Sequence, residues 1–245
     1  LFVDFEHRFN RESGGKLNKK IPYLFSPGPS FSIQINGDLL SRVNLLLFIR
    51  EWARVHSIGP YCIFEFGVLN GESIVEIIRL LRGDLSVVYG FDTFGGIPEL
   101  ESGDLEHTQV MPSFTEGNFQ SNQYETVRQH ILGASDINSK QLHLLQGDFR
   151  KTLKKFELSV QSDFPLVFHV DCDLYTSSKV ALEFVENYAQ DGSWLLLDDY
   201  WCYRGNPRMG QRRAFEEIIN SSVRVIATPY SNYRGLGRAF ILNLK

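Results

Sequence analysis

From residue 61 onward the chain alternates short apolar runs with segments of helical period, and this alternation restricts the fold more than any other feature. Residues 61–66, 87–91, 141–145, 166–170 and 194–197 read as strands, each a brief and nearly continuous apolar run. Helices are expected at 72–81, within 116–132, near 151–156, and at 177–189 and 209–220. Strand–helix–strand repetition gives right-handed crossovers and a parallel sheet covered on both faces, which is why its strands are apolar throughout. Two further strands, 223–228 and 238–242, flank the turn Tyr233-Arg234-Gly235-Leu236-Gly237. So short a connection makes a hairpin and turns the last strand antiparallel. The expected fold is α/β and Rossmann-like, with a mostly parallel seven-stranded sheet and an antiparallel last strand. Residues 61–245 are expected to form the main domain, and residues 1–60 an N-terminal arm with a packing helix.

That helix is expected within 39–58, where Arg42, Arg50, Glu51 and Arg54 interrupt the apolar residues and argue for an amphipathic helix against a membrane span. Residues 1–37 are rich in Gly, Pro, Ser and Asn, yet carry Phe2, Phe5, Phe9, Tyr23, Phe25 and Phe31. Such an arm is expected to fold back over the domain or onto a second copy in a homo-oligomer. The 25 Lys and Arg against 29 Asp and Glu include no run of five or more like charges, so neither nucleic acid nor membrane is expected as a partner. A small-molecule substrate suits this balance better. Three cysteines without a close pair indicate neither a disulfide framework nor a structural zinc, consistent with a cytoplasmic location.

Chemistry concentrates where the strands end. The run from Phe168 closes on Asp171 and Asp173, and the run from Trp194 closes on Asp198 and Asp199. Carboxyl ends of parallel strands share one edge, so the four carboxylates converge, and such a cluster suits a hard divalent cation such as Mg²⁺. Helix caps or turn starts are the simpler reading of one or two of them. Three other strand ends supply Glu65, Asp92 and Asp148. Glu65 is followed by Gly67, Gly71 and Ser73, a glycine turn into a helix whose N-terminal amides attract anionic groups. Asp92 is placed to accept from ribose hydroxyls and Asp148 from an adenine amino group. Three acids and no basic residue in the first turn fit a nucleoside with a cationic or zwitterionic tail, of which S-adenosylmethionine is one. The long connection 93–117 reads as a lid or binding loop.

At residues 61–220 the chain resembles class I S-adenosylmethionine-dependent methyltransferases, and within them the macrocin O-methyltransferase family, which methylates sugar hydroxyls of antibiotics. The resemblance rests on Glu65-Phe-Gly-Val-Leu-Asn-Gly-Glu-Ser73, Gly90-Phe-Asp-Thr-Phe-Gly-Gly-Ile-Pro98, Asp171-Cys-Asp-Leu-Tyr-Thr-Ser177, Asp198-Asp-Tyr200 and Arg213-Ala-Phe215. It implies a class I methyltransferase fold and Mg²⁺ held by Asp171, Asp198 and Asp199, with Asp171 accepting the acceptor's proton. It also implies that Glu65, Gly67, Gly71, Ser73, Asp92 and Asp148 hold the cofactor. Gly95 departs from relatives that carry an acid there, and the segment before Tyr61 shows no match. His169 shares a strand face with Asp171 and is read as a partner to the site, an alternative base or a buried, hydrogen-bonded histidine. Tyr175, Tyr200 and Trp201 are read as pocket walls or as packing residues. Two rival functions remain: a D-x-D glycosyltransferase through Asp171 and Asp173, and a non-catalytic methyltransferase-like domain.

Overall fold

The computed structural model describes residues 40–106, 108–157 and 164–245. The N-terminal arm, 1–37, lies outside them. Helix α1 (Arg42–Val55) opens the described chain, capped by Ser41, whose hydroxyl accepts from the Asn44 amide at 3.1 Å. Its spacing of Leu45, Leu46, Ile49 and Ala53 turns one face inward, as expected of a packing helix.

Strands β1 (Tyr61–Phe66), β2 (Leu85–Asp92), β3 (Leu142–Gln146), β4 (Phe164–Val170) and β5 (Ser193–Leu197) run parallel, while β6 (Val225–Tyr233) and β7 (Gly237–Leu244) form the hairpin. The sheet order is β3-β2-β1-β4-β5-β7-β6, with β7 antiparallel to both neighbours. All seven expected strands are present. The sixth extends past 228 to Tyr233, because the ladder accommodates Pro229 by a register shift on the sheet's outer strand.

Period-two alternation divides the strands between two cores. Tyr61 and Ile63 of β1 face the layer formed by α1, α2 (Glu72–Leu80) and α4 (Tyr124–Ser135). Cys62, Phe64 and Phe66 face the opposite layer, where α6 (Tyr175–Tyr188) and α7 (Gly210–Phe215) lie. Phe64 stacks between Tyr89 and Phe168, each at 5.1 Å, so the second core is largely aromatic. Each of these fully buried side chains contributes about 1.5–3 kcal/mol relative to exposure. Helix α7 continues as a π-helical turn over Glu216–Asn220.

Strand order reverses between β1 and β4, the place where open α/β sheets bind ligands. Above it passes the connection 93–117, with the short helix α3 (Ser102–Leu105). It is not a loose flap. Ile97 and Phe114 join Leu174, Cys202 and Tyr203 in a small core, and buried Asp104 accepts from the Thr176 amide (3.1 Å) and hydroxyl at the start of α6. The connection is therefore a fixed wall of the site.

Candidate active site

A cavity of about 310 Å³ opens at the switch point, within the range of small-molecule sites. Gly67, Ser73, Asp92, Asp148 and Asp171 line it, so five of the residues expected from the sequence converge there. Glu65, Gly71, Asp198 and Asp199 do not line it; they lie behind its walls. Sequence reasoning missed five further lining residues that carry charge, Arg42, Glu72, Glu99, Arg150 and Arg234.

On the β1–β2 side, the glycine turn is held by Asp92. Its Oδ2 accepts from the amides of Val68 (2.7 Å) and Leu69 (2.9 Å), and Oδ1 from that of Phe94 (2.6 Å). Gly67 has φ +93°, and a Cβ there would lie 1.8 Å from the Asp171 carbonyl oxygen. The demand for glycine thus comes from the β4 loop pressed against it, as well as from the open cavity. Gly71, at φ +94°, is the N-cap of α2, and Ile131 fills the space a Cβ would take. At the end of β3, Asp148 caps the short helix α5 (Phe149–Thr152) through the Arg150 amide at 2.8 Å.

Beneath the cavity runs a buried polar row. The β1–β4 ladder pairs Glu65 with His169, and the imidazole Nδ1 lies 2.8 Å from Glu65 Oε1. Its Nε2 lies 2.9 Å from Asp198 Oδ1, which also accepts from the Tyr233 hydroxyl at 2.6 Å. Asp198 Oδ2 takes Arg234 at 2.6 Å and Arg42 at 3.5 Å, and Arg42 reaches on to Glu76 at 2.5 Å. Burial alone would lower the His169 pKa, but Asp198 and Glu65 outweigh it and raise the pKa to about 10. The imidazolium then donates to both carboxylates. Burial works against Asp198 too, yet His169, Tyr233 and Arg42 hold its pKa below the carboxylate range. Two of the three readings of His169, buried and satisfied and partner to the site, therefore hold together.

The remaining acids lack such partners. Burial raises the Asp171 pKa well above its ordinary value, and Asp198 and Asp199 add to the rise. Asp173 is pushed up to about 7 by burial and Asp171, and Asp199 to about 8 by burial and Asp173. Asp199 Oδ2 accepts from the Asp173 amide at 3.2 Å, and Asp173 sits at φ +60° in a tight turn closed by Leu174 N–H on Cys172 O at 2.6 Å. Non-glycine residues in that region are strained and gather at functional sites. Among the described residues, donor atoms of His169, Asp171 and Asp198 lie within 4.8 Å of one another, a group in which Asp199 is not included.

The three aromatics resolve as packing residues. Tyr175 donates to Glu217 at 2.6 Å beneath the Arg213 guanidinium, Tyr200 packs against Phe215 and Phe240, and Trp201 donates to Asn232 at 2.9 Å. None lines the cavity. Among the described residues no helix is long and apolar enough to cross a membrane.

Comparison with known structures gives the same architecture in several O-methyltransferases. The O-methyltransferase NovP superposes with a TM-score of 0.60 at 19% identity, over 82% of this chain and 78% of NovP. CalS11, a calicheamicin methyltransferase, gives 0.60 at 20% identity over 98% and 91%. An O-methyltransferase from Bacillus cereus in complex with SAH gives 0.52 at 15% identity over 99% and 89%. No curated protein matches the sequence. Residues 64–200, which run from the middle of β1 through the Asp198-Asp199 pair, match the family described as a methyltransferase domain. With the glycine turn and the acid cluster inside that span, the chain belongs to the methyltransferase domain family and has the S-adenosylmethionine-dependent class I methyltransferase fold.

Proposed function

We propose that the protein transfers a methyl group from S-adenosylmethionine to a hydroxyl of a small-molecule acceptor, a sugar or a natural-product glycoside, with Mg²⁺ at the acid cluster. The observation that carries this reading is that Asp171 lines the same cavity as Gly67, Ser73 and Asp92. A base and a nucleoside cradle are thereby a single site. The likeness to CalS11, described as a TDP-rhamnose 3'-O-methyltransferase in calicheamicin biosynthesis, supports a sugar acceptor. Family membership sets aside the D-x-D glycosyltransferase reading.

The residues fit the methyl donor. Glu65 is fully buried behind the cavity wall and bonded to His169, so its carboxylate supports the cradle from below. Gly67, Gly71 and Ser73 shape the turn, Asp92 holds it and faces the ribose position, and Asp148 closes the adenine end. The donor set also fits Mg²⁺. Asp171 and Asp198 offer hard oxygens within 4.8 Å of one another and Asp199 follows directly in the chain; burial first, and neighbouring acids second, raise the Asp171 and Asp199 pKa values, and a cation would relieve the second cause. Ligation through Asp198 requires Arg234 to release Oδ2. Bound there, Mg²⁺ would supply Lewis-acid polarisation and orientation of the hydroxyl. Asp171 takes the hydroxyl proton on a carboxylate oxygen as the O–CH₃ bond forms and the S–CH₃ bond breaks.

The test is methyl transfer to a panel of nucleotide sugars and glycosides, followed by mass spectrometry, in Mg²⁺ and in EDTA. Turnover should need Mg²⁺, and Asp171→Asn should lower kcat by about 10²–10⁴ while leaving S-adenosylhomocysteine binding intact. Full activity in EDTA removes the metal, and normal kcat in the variant removes the base. Cofactor binding without methylation of any acceptor favours the accessory-domain reading.

A further inference from the structure

Asp148 is not open to a ligand in the way its position suggests. Both its oxygens accept from Arg150 Nε at 2.9 Å, and Arg150 Nη2 adds a further bond to Oδ2. On its far side the same guanidinium bonds through Nη1 to Glu101 on the connection 93–117. Arg150 is thus held at two edges by carboxylates from two different segments of the chain, and it lines the cavity with 39% of its side chain exposed. A guanidinium tied in its own plane has its flat faces left for binding, and those faces stack on planar aromatic rings. The neighbouring Phe149 also lines the cavity, but only 8% of it is exposed and its ring packs edge-on to Phe66 at 6.1 Å in the aromatic core, so Arg150 offers the larger open face.

We propose that Arg150 is the adenine platform of the site, its plane fixed by Asp148 and Glu101, so that Asp148 recognises the nucleobase through Arg150 and not by direct contact. This rests on the S-adenosylmethionine reading above and names the residue that reads the base. It also ties cofactor binding to the wall of the acceptor half, because Glu101 belongs to the connection that Asp104 anchors to α6.

Calorimetry with S-adenosylhomocysteine on the full chain tests the assignment, using wild type, Arg150→Met and Arg150→Lys. Both variants should bind about tenfold more weakly, a typical loss for a partly desolvated cation–π contact. The lysine variant separates platform from charge, because an ammonium keeps the positive charge and lacks the plane. In wild type, the Arg150 Nε–H proton resonance should move upfield under the adenine ring current when S-adenosylhomocysteine is added, and stay in place when homocysteine alone is added. Wild-type affinity in either variant, or an unmoved resonance, overturns the assignment. Wild type that fails to bind S-adenosylhomocysteine at all overturns the cofactor reading and the assignment with it.

Discussion

Asp92 and Asp171 occupy equivalent places, each at or just past the carboxyl end of a parallel strand and each lining the cavity, yet their surroundings are opposite. Asp92 receives three backbone N–H groups and fixes the glycine turn. Asp171 is driven to a higher pKa by burial and then by Asp198 and Asp199 beside it. One carboxylate is spent on shape. The other is kept reactive, and the fold tolerates its repulsion because Arg42, Arg234 and His169 neutralise the neighbouring Asp198. A sheet edge that bears several acids therefore separates scaffold from chemistry by the donors it gives each one.

The contrast can be broken most severely where the two halves touch. Gly67→Ala forces a Cβ to within 1.8 Å of the Asp171 carbonyl oxygen at a φ of +93°. A loss of about 4 kcal/mol or failure to fold is expected in urea melts. A milder loss means that the β4 loop yields and the halves are less tightly joined than they look.

Next comes a matched pair of isosteric changes with opposite signs. Asp92→Asn turns a carboxamide donor toward backbone donors and should destabilise the protein by about 2–3 kcal/mol. Asp171→Asn removes a half-buried, repelled charge and should stabilise the metal-free protein by about 1 kcal/mol at pH 8, although it lowers kcat by about 10²–10⁴. Two changes of the same sign would show that the acids are not divided as described.

The smallest effect is a pH profile. Asp171, Asp173 and Asp199 have raised pKa values in the folded state, so the folded protein holds protons that the unfolded chain releases near pH 4. Their contribution to stability is complete below that pH and is lost as pH rises through about 7 for Asp173 and about 8 for Asp199. His169, raised to about 10, adds to the decline above its unfolded pKa of about 6.5. In EDTA, Tm should fall by a few degrees between pH 6 and 8.5, and Mg²⁺ should restore it most at the upper end. A flat profile in EDTA would remove the repulsion on which the comparison rests.

The strands and their parallel sense were legible because most are short apolar runs alternating with helical segments, and the turn at Gly235 pointed to a hairpin. Gly67, Ser73, Asp92, Asp148 and Asp171 were legible because strand ends share one edge. The partners of Asp198 were not, since Arg42 and Arg234 stand 156 and 36 residues away and nothing local marks either of them. Arg150 is different. It lies two residues from Asp148 and just past a strand end, so its pairing was within reach of the sequence, but attention to acids hid it. Tyr175, Tyr200 and Trp201 drew notice as aromatics beside the motifs, and helix phase turned them into the packing between α6, α7 and the hairpin.

The insertion of β7 between β5 and β6 has a consequence in time. Asp198 leaves the ribosome 36 residues before Arg234, which at ordinary synthesis rates is roughly 2–7 seconds. Through that interval the acids of β4 and β5 exist without their late counter-ions, and β5 lacks the strand that will pair with its outer side. The nascent chain is thus an open-edged, charge-strained sheet, and the hairpin that completes it delivers hydrogen-bonding partner and neutralising arginine in the same event.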